Sequence, residues 1–367
     1  MDERKMILKM IEDGKITAEE GIKLLEAMGM NEQANRNEEK KTSTELSTSV
    51  NWDEGEGYRK RAGQTTHSSN PFTMFIESTI QKIKEVDLDF NFGASIIVDH
   101  IFQHRDISPA SLDLSLENGS ITFKVWDEAD VRVECSAKVY RVKDQDEARK
   151  TFLQESVFRV DGSKLLFHTK SKSMKVQATV YVPRTTFSHI KMYTFNGQIT
   201  GELIDADTLD ANALNGALIF SSVKAKKAMA ETVNGAIEFE QSQIDLLDVK
   251  TINGGITLAG YIQDVDAETV NGSITYELSE LPESGYADLK ATTGSVHLFV
   301  PKSIRIEGKL KTNVGGFTID MADHEVLEEK KEFVQKSMTI IGNQHSSPRV
   351  KVNAVTNTGS VLVKDQV

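Results

Sequence analysis

At 367 residues the chain is too long for one ordinary core, so it holds several domains or a repeat array that lets one domain grow lengthwise. A hydrophobic fraction of 39% excludes disorder throughout. With 43 Lys and Arg against 55 Asp and Glu, the net charge of −12 argues against nucleic acid, whose affinity comes from neutralising phosphates, and against a general pull toward anionic membranes.

The single cysteine, Cys135, cannot form an internal disulfide, so folding does not require an oxidising compartment. The first residues carry charge and lead into an amphipathic stretch rather than an apolar one, and no window is apolar for long enough to span a bilayer. The expectation is a cytoplasmic protein, membrane-associated at most through a local patch, with export by an unusual route left open.

Residues 1–30 read as a helical hairpin domain. Ile7, Met10 and Ile11 fall on one face of a first helix, and Gly14 stands where a C-terminal cap is expected. Thr17 with Glu20 three positions later forms a capping box, and Ile22 and Leu25 mark the inner face of a second helix. Two short helices bury too little surface to be stable alone, so Ile7, Ile11, Ile22 and Leu25 are candidate contacts to a partner protein or a second copy; packing on the rest of the chain is the plainer alternative. Residues 31–70 lose periodicity and are rich in Asn, Glu, Lys, Ser and Thr, as in a flexible linker.

Residues 71–185 are expected to form an amphipathic helix and a non-repetitive β region that caps the repeat beyond residue 185. Phe72, Phe75, Ile76, Ile80 and Ile83 recur at three- and four-residue spacing after Pro71. Such a face suits a membrane interface, or the covering of an open β end. Val131, Val133, Cys135, Ala137 and Val139 alternate with polar residues in a strand, which makes Cys135 a small core residue. Asp144 to Val157 reads as a short helix turning Ala148, Phe152 and Leu153 inward; strands are expected over 164–169 and 176–182.

Residues 186–367 carry the strongest signal. Asn-Gly occurs at Asn196, Asn215, Asn234, Asn253 and Asn271, at intervals of 19, 19, 19 and 18 residues. An apolar residue precedes each Asn, Thr usually stands two before it, and Ile or Leu three after it. Weaker copies occur at Thr293-Gly294, Asn313 to Gly316 and Thr358-Gly359. Repetition of this kind marks a repeat architecture. Asn-Gly also signals hairpins, but an antiparallel meander has no need of identical residues one period apart. A β-solenoid does, because equivalent positions stack into ladders; amide then lies on amide, and the glycine allows a left-handed corner. The fold expected is mainly β: a solenoid-like repeat of about 19 residues per coil with capping regions. The tail from Asp323 to Lys336 reads as a charged helical insert, followed by strands that close the end.

The N-terminal stretch MILKMIEDGKITAEEGIKLLEAM, the segment VDLDFNFG at Val86–Gly93 and the recurring TVNG-x-I coils resemble the YvlB/LiaX family of Gram-positive bacteria. That family joins a small helical N-terminal domain to a β-strand repeat described as adhesin-like. The resemblance implies a part in the cell-envelope stress response, around membrane-active antibiotics and peptides.

Catalysis finds little support. Asp207, Asp245 and Asp264 stand at similar places in three coils, with Lys226 at that place in a fourth, as an acidic row on a carbohydrate-cleaving β-helix would. Each lies where a turn is expected, and Asp is a favoured turn residue. His100 and His104 have the spacing of helical metal ligands but no third ligand. The pattern gives no catalytic residue, metal or cofactor. Three hypotheses stand: a non-catalytic interaction or scaffold protein of envelope stress that binds a regulator or membrane-associated partner; a polymerising structural solenoid; and a carbohydrate-active enzyme. For the first, Phe72, Phe75, Ile76, Ile80 and Ile83 would insert in a membrane on undocking, and Lys224, Lys226 and Lys227 form the basic patch of the regular coils.

Overall fold

The computed structural model describes residues 93–279 and 283–366. Strands β1 (Ser95–His104), β2 (Ser111–Trp126) and β3 (Val131–Tyr140) come first, then helix α1 (Gln145–Glu155) and strands β4 (Ser156–Asp161), β5 (Lys164–Thr169) and β6 (Met174–Pro183). Next come β7 (Phe187–Asn196), β8 (Ile199–Glu202), β9 (Asp205–Asn215), β10 (Leu218–Ser221), β11 (Lys224–Asn234), β12 (Ile237–Asn253), β13 (Ile256–Asn271) and β14 (Ile274–Leu278). The chain continues with β15 (Gly285–Thr293), β16 (Val296–Val300), β17 (Arg305–Val314), β18 (Phe317–Asp320), β19 (His324–Lys331), β20 (Lys336–Gly342), β21 (Arg349–Thr358) and β22 (Val361–Asp365).

One period of sequence moves a residue one strand along a parallel ladder. Asn196 pairs with Asn215, Asn215 with Asn234, Asn234 with Asn253 and Asn253 with Asn271. Strands that precede an Asn-Gly form one ladder, running β7, β9, β11, then the second halves of β12 and β13, then β15, β21 and β17. Strands that come after it form a second: β8, β10, the first halves of β12 and β13, then β14, β16, β22 and β18. Alternate residues of both ladders point between them. Ile199, Leu218, Ile237, Ile256, Ile274 and Val296 stack there without solvent, and one continuous hydrophobic core results.

The open solenoid expected from the period is corrected to a barrel-like closure. Strands β2, β12 and β13 run unbroken from one ladder into the other, so pairing closes on itself through β2, β7, β9, β11, β12, β10, β8 and back to β2. In β12 the crossing is made by an irregularity between Phe239 and Ser242, where Gln241 takes a φ of 48°. A bulge bends a strand without ending its pairing, and so a corner that would separate two faces becomes continuous strand.

Each glycine of the recurring Asn-Gly answers to a close approach. A Cβ on Gly216, Gly235, Gly254 or Gly272 would lie about 2 Å from the carbonyl oxygen of the glycine one coil below, for example 2.1 Å from Gly216 O for Gly235. Of the five recurring glycines Gly197 alone takes a positive φ, 154°; left-handed backbone stands at the opposite corner, at Leu203, Ser222 and Gln241, with φ of 57°, 54° and 48°. The threonine that usually stands two before the Asn also acquires a role. Thr232, Thr251 and Thr269 donate from Oγ1 to the carbonyls of Gly216, Gly235 and Gly254, each at 2.9 Å. A buried hydroxyl and a buried carbonyl thereby satisfy each other across coils.

At one end, β3 and then β1 add antiparallel to β6, and β4 adds to β5. Helix α1 covers this end with Ala148 and Phe152 buried, while Leu153, expected inward, is 40% exposed. Asp144 caps α1 by accepting from Glu147 N at 2.8 Å, and Glu147 accepts from Lys143 N at 2.8 Å. At the other end the expected helix over Asp323–Lys336 is a β-hairpin: β19 pairs with β20, and β20 with β17. Pairing to a free sheet edge outweighs the helix propensity of its Glu and Lys. Strands β21 and β22, expected to close the end, slot between β15–β16 and β17–β18.

Replacing Gly235 with Ala should lower the unfolding free energy by at least about 1–3 kcal/mol, since the methyl group overlaps rigid backbone on the coil below. A urea midpoint unchanged from wild type would contradict the close packing of these corners.

Candidate functional site

The first ladder turns a regular set of charges outward. Because alternate strand residues face away from the core, the parallel register lines up Asp210, Met229, Asp248, Asp266 and Asp288 in one row and Asn212, Glu231, Lys250, Glu268 and Lys290 in the next. Lysine answers aspartate within a strand: Lys250 Nζ lies 2.7 Å from Asp248 Oδ1, and Lys290 Nζ 2.8 Å from Asp288 Oδ2. Asn353 on β21 also donates to Asp288 Oδ1 at 2.9 Å.

These charges are withdrawn from water, with Lys250 and Asp288 only 4% and 3% exposed. Burial pulls the Lys250 and Lys290 ammonium groups down, but Asp248 beside Lys250 and Asp288 beside Lys290 more than offset it and hold both above the ordinary lysine value. Glu268 sits between Lys250 and Lys290 on neighbouring strands. Burial pushes its carboxyl up to about 7, against the pull of Lys290. The face therefore pairs two of its aspartates with lysines, stays acidic over the two rows, and holds one carboxyl pushed up toward neutrality. A second cluster lies on β2 and β5, where Asp113 accepts from Lys164 Nζ at 2.6 Å and pairs with His168 Nε2 at 3.0 Å. Among the described residues no group of three or more His, Cys, Asp or Glu is placed to hold a metal ion.

The acids singled out from the sequence do not form an aligned row. Asp207, Asp245 and Asp264 lie within strands β9, β12 and β13, not in the expected turns. Lys226 stands between Asp207 and Asp245 in the register and binds Asp207 Oδ1 at 2.7 Å. The Asp207 carboxylate, by hydrogen bond and charge, raises the Lys226 pKa. Asp264 falls one register step away, opposite Leu246 and Tyr286, and accepts from Tyr286 N at 3.1 Å. His100 and His104 lie on a strand, so four residues separate them by about 13 Å, too far to share an ion. His100 packs edge-on to Phe102 at 4.5 Å, and burial, helped by Arg149, lowers its pKa. Cys135 is buried on β3, which pushes its thiol up to about 12. Ile7, Ile11, Ile22, Leu25, Phe72, Phe75, Ile76, Ile80 and Ile83 lie outside the described residues.

The asparagines are joined amide to amide. Asn215 Nδ2 donates to Asn196 Oδ1 at 2.8 Å, Asn234 to Asn215 at 2.7 Å, Asn253 to Asn234 at 2.8 Å and Asn271 to Asn253 at 2.8 Å. The chain of amides ends at Asn271, whose Oδ1 has no hydrogen-bond donor, because the next coil brings Thr293 to that level. The hydrogen-bonded amides begin at Asn196, but the stack of coils begins one coil earlier, at an Asn-Gly the sequence reading missed. Asn118-Gly119 lies in register beneath Asn196, with Ile121 beneath Ile199. The signal was legible as Asn-Gly with isoleucine three after the Asn; β3, α1 and β4 to β6 interrupt the period between the two coils.

With this geometry in view, the matches to known proteins are informative. The Toastrack DUF4097 family profile matches residues 110–364. The chain belongs to the toastrack family. Residues 2–32 match a SHOCT-like domain. This toastrack protein is 37% identical over 366 residues to YvlB of Bacillus subtilis (strain 168), itself described as uncharacterized, covering 99% of this chain and 98% of that protein. The YvlB resemblance of the coils is thereby shown. Crystal structures of candidate adhesins from Bacteroides fragilis NCTC 9343 and Parabacteroides merdae ATCC 43184 are 12% and 10% identical, with TM-scores of 0.39 and 0.40. The matches cover 74% and 73% of this chain and 98% and 95% of those chains. Among the described residues no helix is long and apolar enough to cross a membrane.

Glu268 holds its proton more tightly folded than unfolded, so the stability this confers is complete below 4.5, its ordinary value, and is lost as pH rises to about 7. Wild type should therefore lose on the order of 3 kcal/mol relative to Glu268→Gln across that window. Urea denaturation of both proteins in steps from about pH 4 to 8 measures the difference; a constant gap would mean that the carboxyl is already ionised in the fold.

Proposed function

We propose that this toastrack protein is a non-catalytic interaction protein of the cell-envelope stress response. Its N-terminal hairpin, residues 1–30, binds a regulator, a membrane-associated partner or its own copy, and the β repeat serves as the scaffold. The observation that carries the non-catalytic reading is that the candidate acids do not share one aligned row. Asp207 is tied to Lys226 and Asp264 to a backbone amide, Lys226 stands between Asp207 and Asp245, and the candidate row is broken at Asp264. The envelope setting rests on the family resemblance of the N-terminal stretch and the coils. Growth by end-to-end stacking is disfavoured at the β19 edge, where Glu325, Glu328, Glu329, Lys330 and Lys331 place charge on a strand that would have to pair.

The test compares the full chain with one lacking residues 1–30, both cross-linked in the native host with and without a membrane-active antibiotic. The full chain should enrich a defined partner by about tenfold or more under stress, and the shortened chain should lose it while melting at the same temperature. Equal recovery by the shortened chain would overturn the role of the hairpin, and recovery indifferent to antibiotic would overturn the stress connection.

A further inference from the structure

The turn between β19 and β20 runs against turn chemistry. Glu332 N donates to Gln335 O at 2.9 Å, which places Phe333 and Val334 at the two central positions. Those positions ordinarily take Gly, Asn, Asp or Pro. Here they hold an aromatic and a β-branched residue, with Phe333 fully exposed and Val334 69% exposed. Neither side chain belongs to the core, and the hairpin is anchored without them. Strand β20 pairs along its length with β17, Lys336 Nζ donates to Gly315 O at 2.7 Å, and Gln335 Nε2 donates to Asn313 Oδ1 at 3.4 Å. Between those two anchors lies Val314, 67% exposed, which adds a third bare apolar side chain at the same corner.

Cations frame this tip. Lys331 and Lys336 form the first rung below the turn, and Lys330 lies on the next. Glu332 is the one acid within the turn itself; Glu328 and Glu329 lie further down β19, where they pair with Lys330 and Lys331. Apolar side chains ahead of a lysine rung match an anionic lipid interface, where the apolar groups enter the acyl boundary and the exposed ammonium groups of Lys330 and Lys331 exchange Glu328 and Glu329 for lipid phosphates. An apolar pocket on a protein would accept Phe333 but has no need of lysine on both strands. The net negative charge of the chain does not oppose this contact, because charges beyond about 8 Å are screened at physiological ionic strength.

We propose that the Phe333–Val334 tip is a membrane contact that inserts into the interface of anionic lipid. This goes beyond the function proposed above, since it puts a lipid contact at the end of the β repeat and needs no partner at residues 1–30. Two side chains make a reversible anchor, which suits a protein that moves on and off a membrane surface.

Flotation of the full chain with phosphatidylglycerol-containing vesicles tests it, with phosphatidylcholine vesicles as the neutral comparison. Wild type should float with the anionic vesicles, F333D/V334D should lose about tenfold or more of that binding, and K330Q/K331Q should lose part of it, all with unchanged melting temperatures. No flotation of wild type, equal flotation on neutral vesicles, or flotation unaffected by F333D/V334D would each overturn the proposal. The chain lacking residues 1–30 should float as wild type does, so that failure of the partner reading and failure of the lipid contact are told apart.

Discussion

The spacing between stacked backbones governs this protein. Parallel strands lie about 4.8 Å apart, and at each Asn-Gly corner the backbone of one coil rests on the backbone of the next with no room for a side chain. Glycine is fixed there by contact, and at Gly119 and Gly197 by a positive φ as well. Once the corners coincide, the rest of the period must coincide too. Isoleucine falls on isoleucine, threonine reaches the glycine carbonyl of the adjacent coil, and asparagine amides join along the stack. Each repeat is weak alone and acquires its partners from its neighbours.

That constraint also shapes the outer face. A strict register brings like charges together, as at Asp248, Asp266 and Asp288, and a sheet carrying only that row would repel itself. The next row answers two of these aspartates with lysines, pairing Lys250 with Asp248 and Lys290 with Asp288, while acids still outnumber lysines over the two rows. Glu268 is the exception in degree, its carboxyl held near neutrality by burial between two lysines. The same register carries chemistry away from the acids that a sequence reading would select. An 18-residue interval in place of 19 shifts Asp264 out of line with Asp207 and Asp245.

The ends of the stack obey other rules. Antiparallel strands, a capped helix and a charged hairpin replace the period where there is no further coil to receive it. The hairpin shows the limit of propensity. Its Glu- and Lys-rich strand reads as helix, yet an open sheet edge beside it offers a full set of backbone hydrogen bonds. Its turn carries two apolar side chains that lie outside the core.

The sequence by itself determined the β class, the period, the inward isoleucines, the buried Cys135 and the position of α1, because alternation and repetition are local properties written along the chain. The tertiary structure alone decided three matters. It joined Asn118 to a column that begins 78 residues later, and it placed the last coil of the chain inside the stack. It also carried β2, β12 and β13 across both ladders to close them. These outcomes depend on which edge is free when a strand arrives, and on bends that preserve pairing. Such facts belong to partners distant in sequence, and no window of residues contains them.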